Sequence, residues 1–126
     1  DAEGYMRRLR CVQEISAVTA ACMMVKTSVF KAVGGFDEEL KVAFNDIDLC
    51  MKVRKYGVKI VFTPYAELYH YESKSRGLED TPEKVARFNK EIATFEKKWP
   101  EILKNGDPYY NPNLTLKSQD FSLKRI

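Results

Sequence analysis

Phe44-Asn45-Asp46-Ile47-Asp48-Leu49-Cys50 places two carboxylates one residue apart, where a loop gives way to an apolar-periodic segment. Ile47, Leu49, Cys50, Val53 and Tyr56 recur at helical spacing, Lys and Arg gather in the last turns, and Gly57 follows as a stop. That pattern predicts a helix beginning at Asn45. Two acids in a first turn admit two readings. They serve the positive end of the helix, or one of them is a reactive carboxylate mounted rigidly over a cleft.

Working outward, Gly34-Gly35-Phe36-Asp37-Glu38 reads as a helix stop followed by a tight turn, with Asp37 as turn former. Thr27 or Ser28 is placed to cap a short helix running through Val33. Cys22-Met23-Met24-Val25 is a short continuous apolar run, the pattern of a buried strand. On the other side, Val58-Lys59-Ile60-Val61-Phe62 alternates with strong β propensity and stops before Pro64. Ala66-Glu67-Leu68-Tyr69-His70 predicts one more short strand, and Ser73-Lys74-Ser75-Arg76-Gly77 a polar loop.

Thr81 and Pro82 open a long helix by the N-cap and first-turn proline rules. Its apolar positions, Val85, Phe88, Ile92, Phe95 and Trp99, are three and four apart, the face of a helix docked on a core. After Pro100 the chain is expected to be irregular. Asp107-Pro108-Tyr109-Tyr110-Asn111-Pro112-Asn113 cannot sustain a helix, and its aromatic residues suggest a tail pinned to a surface. The organisation is an α/β chain forming one domain over 1–126, with a core at 12–77, a helix at 81–99 and an irregular tail at 105–126.

Composition narrows the function. The chain has 126 residues, enough to bury a real core. Its net charge of +3 is too small to argue for nucleic acid, where a clustered basic face is expected. No apolar run approaches the ~18–20 residues needed to span a bilayer. Cys11, Cys22 and Cys50 are odd in number and widely spaced, which reads as reduced thiols in a cytoplasmic protein. The inner membrane face is the alternative location. The opening Asp1-Ala2-Glu3-Gly4, without initiator Met, is compatible with an excised piece of a larger protein.

Taken in order, Gly34-Gly35-Phe36-Asp37-Glu38, Asn45-Asp46-Ile47-Asp48-Leu49-Cys50, Arg54, Gly57, Pro64 and His70 resemble the C-terminal half of family 2 glycosyltransferases. That family carries G-G-F-D-E, E-D-x-D-L, R-x-x-x-G and a strand ending in His. The agreement covers about residues 15–77, and the tail at 107–116 resembles members that build bacterial polysaccharides of rhamnan and O-antigen type. The resemblance implies a partial GT-A fold, a Rossmann-like α/β architecture, contributing the acceptor side. It also implies a nucleotide-sugar donor, a glycan or lipid-linked acceptor, and Mg²⁺ or Mn²⁺.

By that resemblance Asp46 is the general base of an inverting transfer. A carboxylate suits the task if it lies within ~2.6–3.2 Å of the acceptor hydroxyl. Asn45 stands where the family commonly has Glu; it keeps a capping oxygen and loses a charge. Asp48 is chiefly a structural companion. With Asn45, Thr19, Ser73 and Arg76 it is a candidate for contacting donor or acceptor, Arg76 as a bidentate diphosphate clamp. Thr19-Ala20-Ala21 falls where the family lines its acceptor pocket with small residues, though strand packing explains those residues as well.

Asp46-Ile47-Asp48 also spells D-x-D, the metal–nucleotide motif of these enzymes. It opens a helix here, whereas the metal motif follows a strand in the nucleotide-binding half, so the metal reading is rejected. His70, the sole histidine, matches a family histidine near the metal or diphosphate. One ligand makes no Mg²⁺ site, and no cofactor is expected on this chain alone. With the nucleotide-binding half missing, the chain by itself is expected to be inactive. The competing readings are a non-catalytic module that dimerises through the 85–99 face or an exposed sheet edge, and a sugar binder using Tyr109-Tyr110.

Overall fold

A computed structural model of the chain describes residues 3–71, 81–118 and 120–124. It is a mixed α/β structure with a two-stranded sheet. Strand β1 (Gln13–Glu14) pairs antiparallel with β2 (Val61–Phe62), Gln13 opposite Phe62 and Glu14 opposite Val61. The Ile15 N–H donates to the Ile60 carbonyl at 3.0 Å and extends the pairing by one residue.

Helix α1 (Thr27–Ala32) starts one residue earlier than a Thr27 cap would allow: Lys26 occupies the cap position and Thr27 is already helical. Helix α2 (Asn45–Lys55) ends as its spacing predicts. Gly57 adopts φ 94, and the Gly57 and Val58 N–H groups donate back to the Arg54 and Val53 carbonyls. A left-handed residue in that place closes a helix, and glycine adopts it without Cβ strain.

Helix α3 (Pro82–Lys98) begins at Thr81, whose hydroxyl accepts the Lys84 N–H at 3.4 Å. A short α4 (Pro100–Asn105) follows, and this corrects the expectation of irregular chain after Pro100. Pro100 breaks the hydrogen-bond ladder of α3 yet is well suited to the first turn of a new helix.

The core gathers Leu40, the α2 residues Leu49, Cys50, Met51 and Val53, Ile60 before β2, and Phe95 and Trp99 from α3 and its end. Asp48, Leu49, Cys50 and Met51 are buried in succession. Four consecutive residues cover every side of a helix, so the middle of α2 is enclosed, not docked by one stripe. The α3 stripe is graded: Phe95 and Trp99 are buried, while Val85 and Phe88 remain partly open.

Three strand expectations are corrected. Met23 to Val25 form no strand, Met24 is 99% exposed, and Cys22 lies in a 3-10 turn (Ala20–Cys22). Residues 66–70 are likewise outside any strand, and the 58–62 alternation contracts to β2. The physical reason is common to all three. β propensity makes a segment fit a sheet, but a ladder needs a partner strand, and among the described residues only β1 supplies one.

Residues 106–118 and 120–124 run without helix, joined by a bridge between Leu114 and Leu123. Tyr109 ties this tail to the body: its hydroxyl donates to Glu14, and Arg54 lies 5.6 Å from its ring centroid.

Candidate functional site

The site is built where the 41–44 loop becomes α2. Phe44 occupies the N-cap position with a left-handed backbone, φ 62 and ψ 2, and no side chain caps the helix. Asn45 is therefore the first helical residue and not the cap, its Oδ1 accepting the Asp46 N–H at 2.7 Å. A bulky residue in the left-handed region is strained by ~1–3 kcal/mol and persists only when its surroundings hold it. Here they do. The Phe44 ring stacks on Phe95 and Phe88, with centroids 5.2 and 5.7 Å away. Its carbonyl accepts the Asp48 N–H at 2.8 Å.

Asp46 is half-buried in the first turn. Its Oδ2 accepts the Ala20 N–H at 3.1 Å, and its Oδ1 lies 2.9 Å from the Ile47 N. One turn further along, the Cys50 thiol meets the Val18 backbone, 3.5 Å from its N and 3.7 Å from its carbonyl oxygen. Burial pushes the Cys50 thiol pKa up, and the Asp46 charge adds to that rise. Positions 46 and 50 share one helix face, and that face grips the 18–20 segment. The structure thus brings Thr19 beside Asp46: the Thr19 hydroxyl accepts the Ala21 N–H, and Thr19, Ala20 and Ala21 are exposed.

Asp48, a candidate for contacting donor or acceptor, is 0% exposed in this chain and is engaged by its own neighbours. Its Oδ1 lies 2.7 Å from Lys98 Nζ and accepts the Trp99 indole N–H at 2.9 Å. Lys52 Nζ stands 3.2 Å from Oδ2 as an ion pair without hydrogen-bond alignment, its own strong bond going to the Gly35 carbonyl at 2.5 Å. Lys98 also reaches Asp37 at 2.6 Å. A carboxylate taken out of water needs such compensation, and this network ties the glycine turn, α2 and the end of α3 together.

The same charge balance sets the direction of two pKa shifts. The Lys98 hydrogen bond and the Glu39 N–H hold the Asp37 carboxyl below its usual value. Burial works against the charged Lys98, but its bonds to Asp37 and Asp48 outweigh burial and raise its pKa.

Spacing alone did not single out Glu91. It is 2% exposed, and its carboxylate accepts the Ala43 N–H at 2.7 Å and the Val42 N–H at 3.3 Å. The available signal was a carboxylate set inside the apolar stripe of α3, between Phe88 and Phe95.

Asp46 and Asp48 do not form a metal site, because Asp48 is committed to two ammonium groups and an indole. Among the described residues no group of three or more His, Cys, Asp or Glu could hold a metal ion, and His70 lies exposed beyond β2. The donor set needed for Mg²⁺ or Mn²⁺ is not offered by these residues. Ser73 and Arg76 fall outside the described residues. A separate groove of ≈ 700 Å³, lined by Met51, Arg54, Trp99 and Ile102 among others, lies at the other end of α2. Asp46 lies ~7–12 Å along the helix axis from the α2 residues that line it, Met51 and Arg54. No described helix is long and apolar enough to cross a membrane.

A family model described as "Glycosyltransferase like family 2" matches residues 2–89. An uncharacterized protein of Sinorhizobium fredii is 56% identical over 121 residues, covering 95% of this chain and 13% of that protein. The O-antigen biosynthesis protein RfbC of Myxococcus xanthus is 38% identical over 109 residues, 86% of this chain and 8% of its own length. The N-acetylglucosaminyl-diphospho-decaprenol L-rhamnosyltransferase of Mycobacterium tuberculosis is 37% identical over 60 residues, 48% of this chain and 20% of its own. The chain therefore spans no more than about a fifth of these curated relatives. No solved structure matches it.

Proposed function

The chain belongs to the glycosyltransferase-like family 2, and from that premise we propose that it carries the acceptor side and the general base of an inverting sugar transfer, within a GT-A fold completed by a nucleotide-binding half. The donor is a nucleotide-sugar and the acceptor a glycan or lipid-linked glycan. The relatives named for O-antigen biosynthesis and rhamnosyl transfer support a bacterial polysaccharide as the product class.

In the proposed step an Asp46 carboxylate oxygen takes the acceptor hydroxyl proton as that oxygen attacks the anomeric carbon. The bond from the anomeric carbon to the nucleoside diphosphate breaks, the diphosphate leaves with the electron pair, and configuration inverts. One observation carries the reading: Asp46 is held at a helix opening against the exposed 19–21 segment, a lip on which an acceptor can lie. Each Asp46 oxygen has one N–H neighbour, which leaves acceptor capacity for a substrate hydroxyl. Mg²⁺ or Mn²⁺, implied by the family, would supply charge neutralisation at the leaving diphosphate. The described residues give such an ion no site, and the step above runs through none.

The test is transfer from a panel of nucleotide-sugars to glycan and lipid-linked acceptors, by this chain and by the longer protein that carries it. The longer protein should turn over, and Asp46→Asn should lower its kcat by roughly 10²–10⁴-fold. Activity in Asp46→Asn within a few-fold of the unaltered protein would remove Asp46 from the mechanism. Asp46-dependent turnover by the chain alone would instead overturn its incompleteness.

A further inference from the structure

Resting on the reading of Asp46 as the base, we propose that Glu91 is a positioning residue that holds Asp46 in its working direction from another helix. The three residues before Asn45 are each held by one face of α3. Glu91 receives the Val42 and Ala43 N–H groups, and Phe88 and Phe95 stack on the Phe44 ring. Positions 88, 91 and 95 are three and four apart and lie on a single face.

The polar member of that stripe is the informative one. A buried carboxylate on an otherwise apolar face is costly unless its oxygens are used, and Glu91 uses both on the backbone of one loop. Its charged neighbour is Arg87, with Nε 3.9 Å from Oε1. What this clamp stabilises is a backbone that would not hold itself: Phe44 is left-handed without a side-chain cap. The direction in which α2 leaves that residue sets where Asp46 points. Asp46 in turn accepts the Ala20 N–H, apart from the hydrogen bonds that Glu91 makes to Val42 and Ala43. The Ala20 N–H thus reports on the aim of Asp46 independently of activity.

The experiment is amide hydrogen exchange on this chain with the isosteric Glu91→Gln, against Ile60→Ala as a core variant outside the Glu91 hydrogen bonds. Val42 and Ala43 donate to different Glu91 oxygens, and Gln puts an NH2 where one of them stood, so this pair of amides loses an acceptor and should exchange roughly tenfold faster or more. The proposal expects Ala20 to lose protection together with them, beyond its loss in Ile60→Ala at equal global stability. In the longer protein, Glu91→Gln should lower kcat by roughly 10–100-fold with KM little changed, the signature of a misaimed group.

If Glu91→Gln does not fold, Phe88→Leu at a partly exposed position tests the same linkage with a smaller shift in the same direction. Faster exchange at Val42 and Ala43 with Ala20 unchanged would overturn the proposal, leaving Glu91 a loop staple. A Glu91→Gln profile indistinguishable from Ile60→Ala would do the same. If Ala20 follows Glu91 while Asp46→Asn keeps full transfer activity, the base assignment fails and the mechanical linkage stands.

Discussion

Asp48→Asn isolates the charge of a carboxylate that, alone among the described residues, is 0% exposed. The substitution keeps the side-chain shape and one acceptor oxygen for the Trp99 N–H, but it deprives Lys98 and Lys52 of their shared anion. Breaking a buried ion pair by removing one partner costs ~3–5 kcal/mol. Two features reduce that here. Lys98 keeps Asp37 at 2.6 Å, and Lys52 keeps the Gly35 carbonyl at 2.5 Å. The lysine side chains are also 31% and 17% exposed, so water partly replaces what is lost. The expected loss is therefore about 2–3 kcal/mol, or roughly 8–12 °C in Tm for a domain of this size.

Urea unfolding measures it, followed by far-UV circular dichroism and by Trp99 fluorescence, the sole and buried tryptophan. Circular dichroism is the primary probe, because Asp48 touches the indole and its substitution changes the native emission. A double-mutant cycle with Lys98→Met should give a coupling of about 1 kcal/mol or more. A loss below ~0.5 kcal/mol in Asp48→Asn, the range of ordinary surface changes, would refute the reasoning: the network would then be ornamental to stability.

Two further outcomes follow from local geometry and charge. Gly35 has φ +65, and a Cβ there would lie 3.1 Å from the Phe30 ring, whereas Gly57 has φ +94 with open space around it. Gly57→Ala should cost ~1 kcal/mol from backbone strain alone and Gly35→Ala at least ~1 kcal/mol more; equal Tm losses would contradict this. Asp37 is held below its usual 3.8 by Lys98 and the Glu39 N–H, so below that value the unfolded chain takes up the proton first. Its contribution is complete above pH 3.8 and is lost as pH falls through the depressed native value. Asp37→Asn should therefore flatten the acid limb of Tm against pH, and parallel curves for the two proteins would show that Asp37 is unlinked to folding.

Much of this protein is decided locally and can be read from its residues in order. Thr81-Pro82 starts α3, Gly57 ends α2, and the 81–99 periodicity marks the docked face. These features depend on neighbours within a turn of helix, where capping and side-chain spacing act directly. The motif series that points to the family, Gly34 to His70, also lies in the residue order itself.

Tertiary structure alone decided the rest. Strand propensity at 22–25 and 66–70 yields no strand, because a ladder depends on which chain lies alongside. Asp46 and Asp48 are chemically alike and two residues apart. One meets an exposed lip and the other is enclosed beside two lysines, because successive helix positions point ~100° apart and meet different neighbours. Trp99, Lys98 and Glu91 reach the α2 region from 48 to 51 residues away. No local pattern encodes which buried charge finds which partner at that separation.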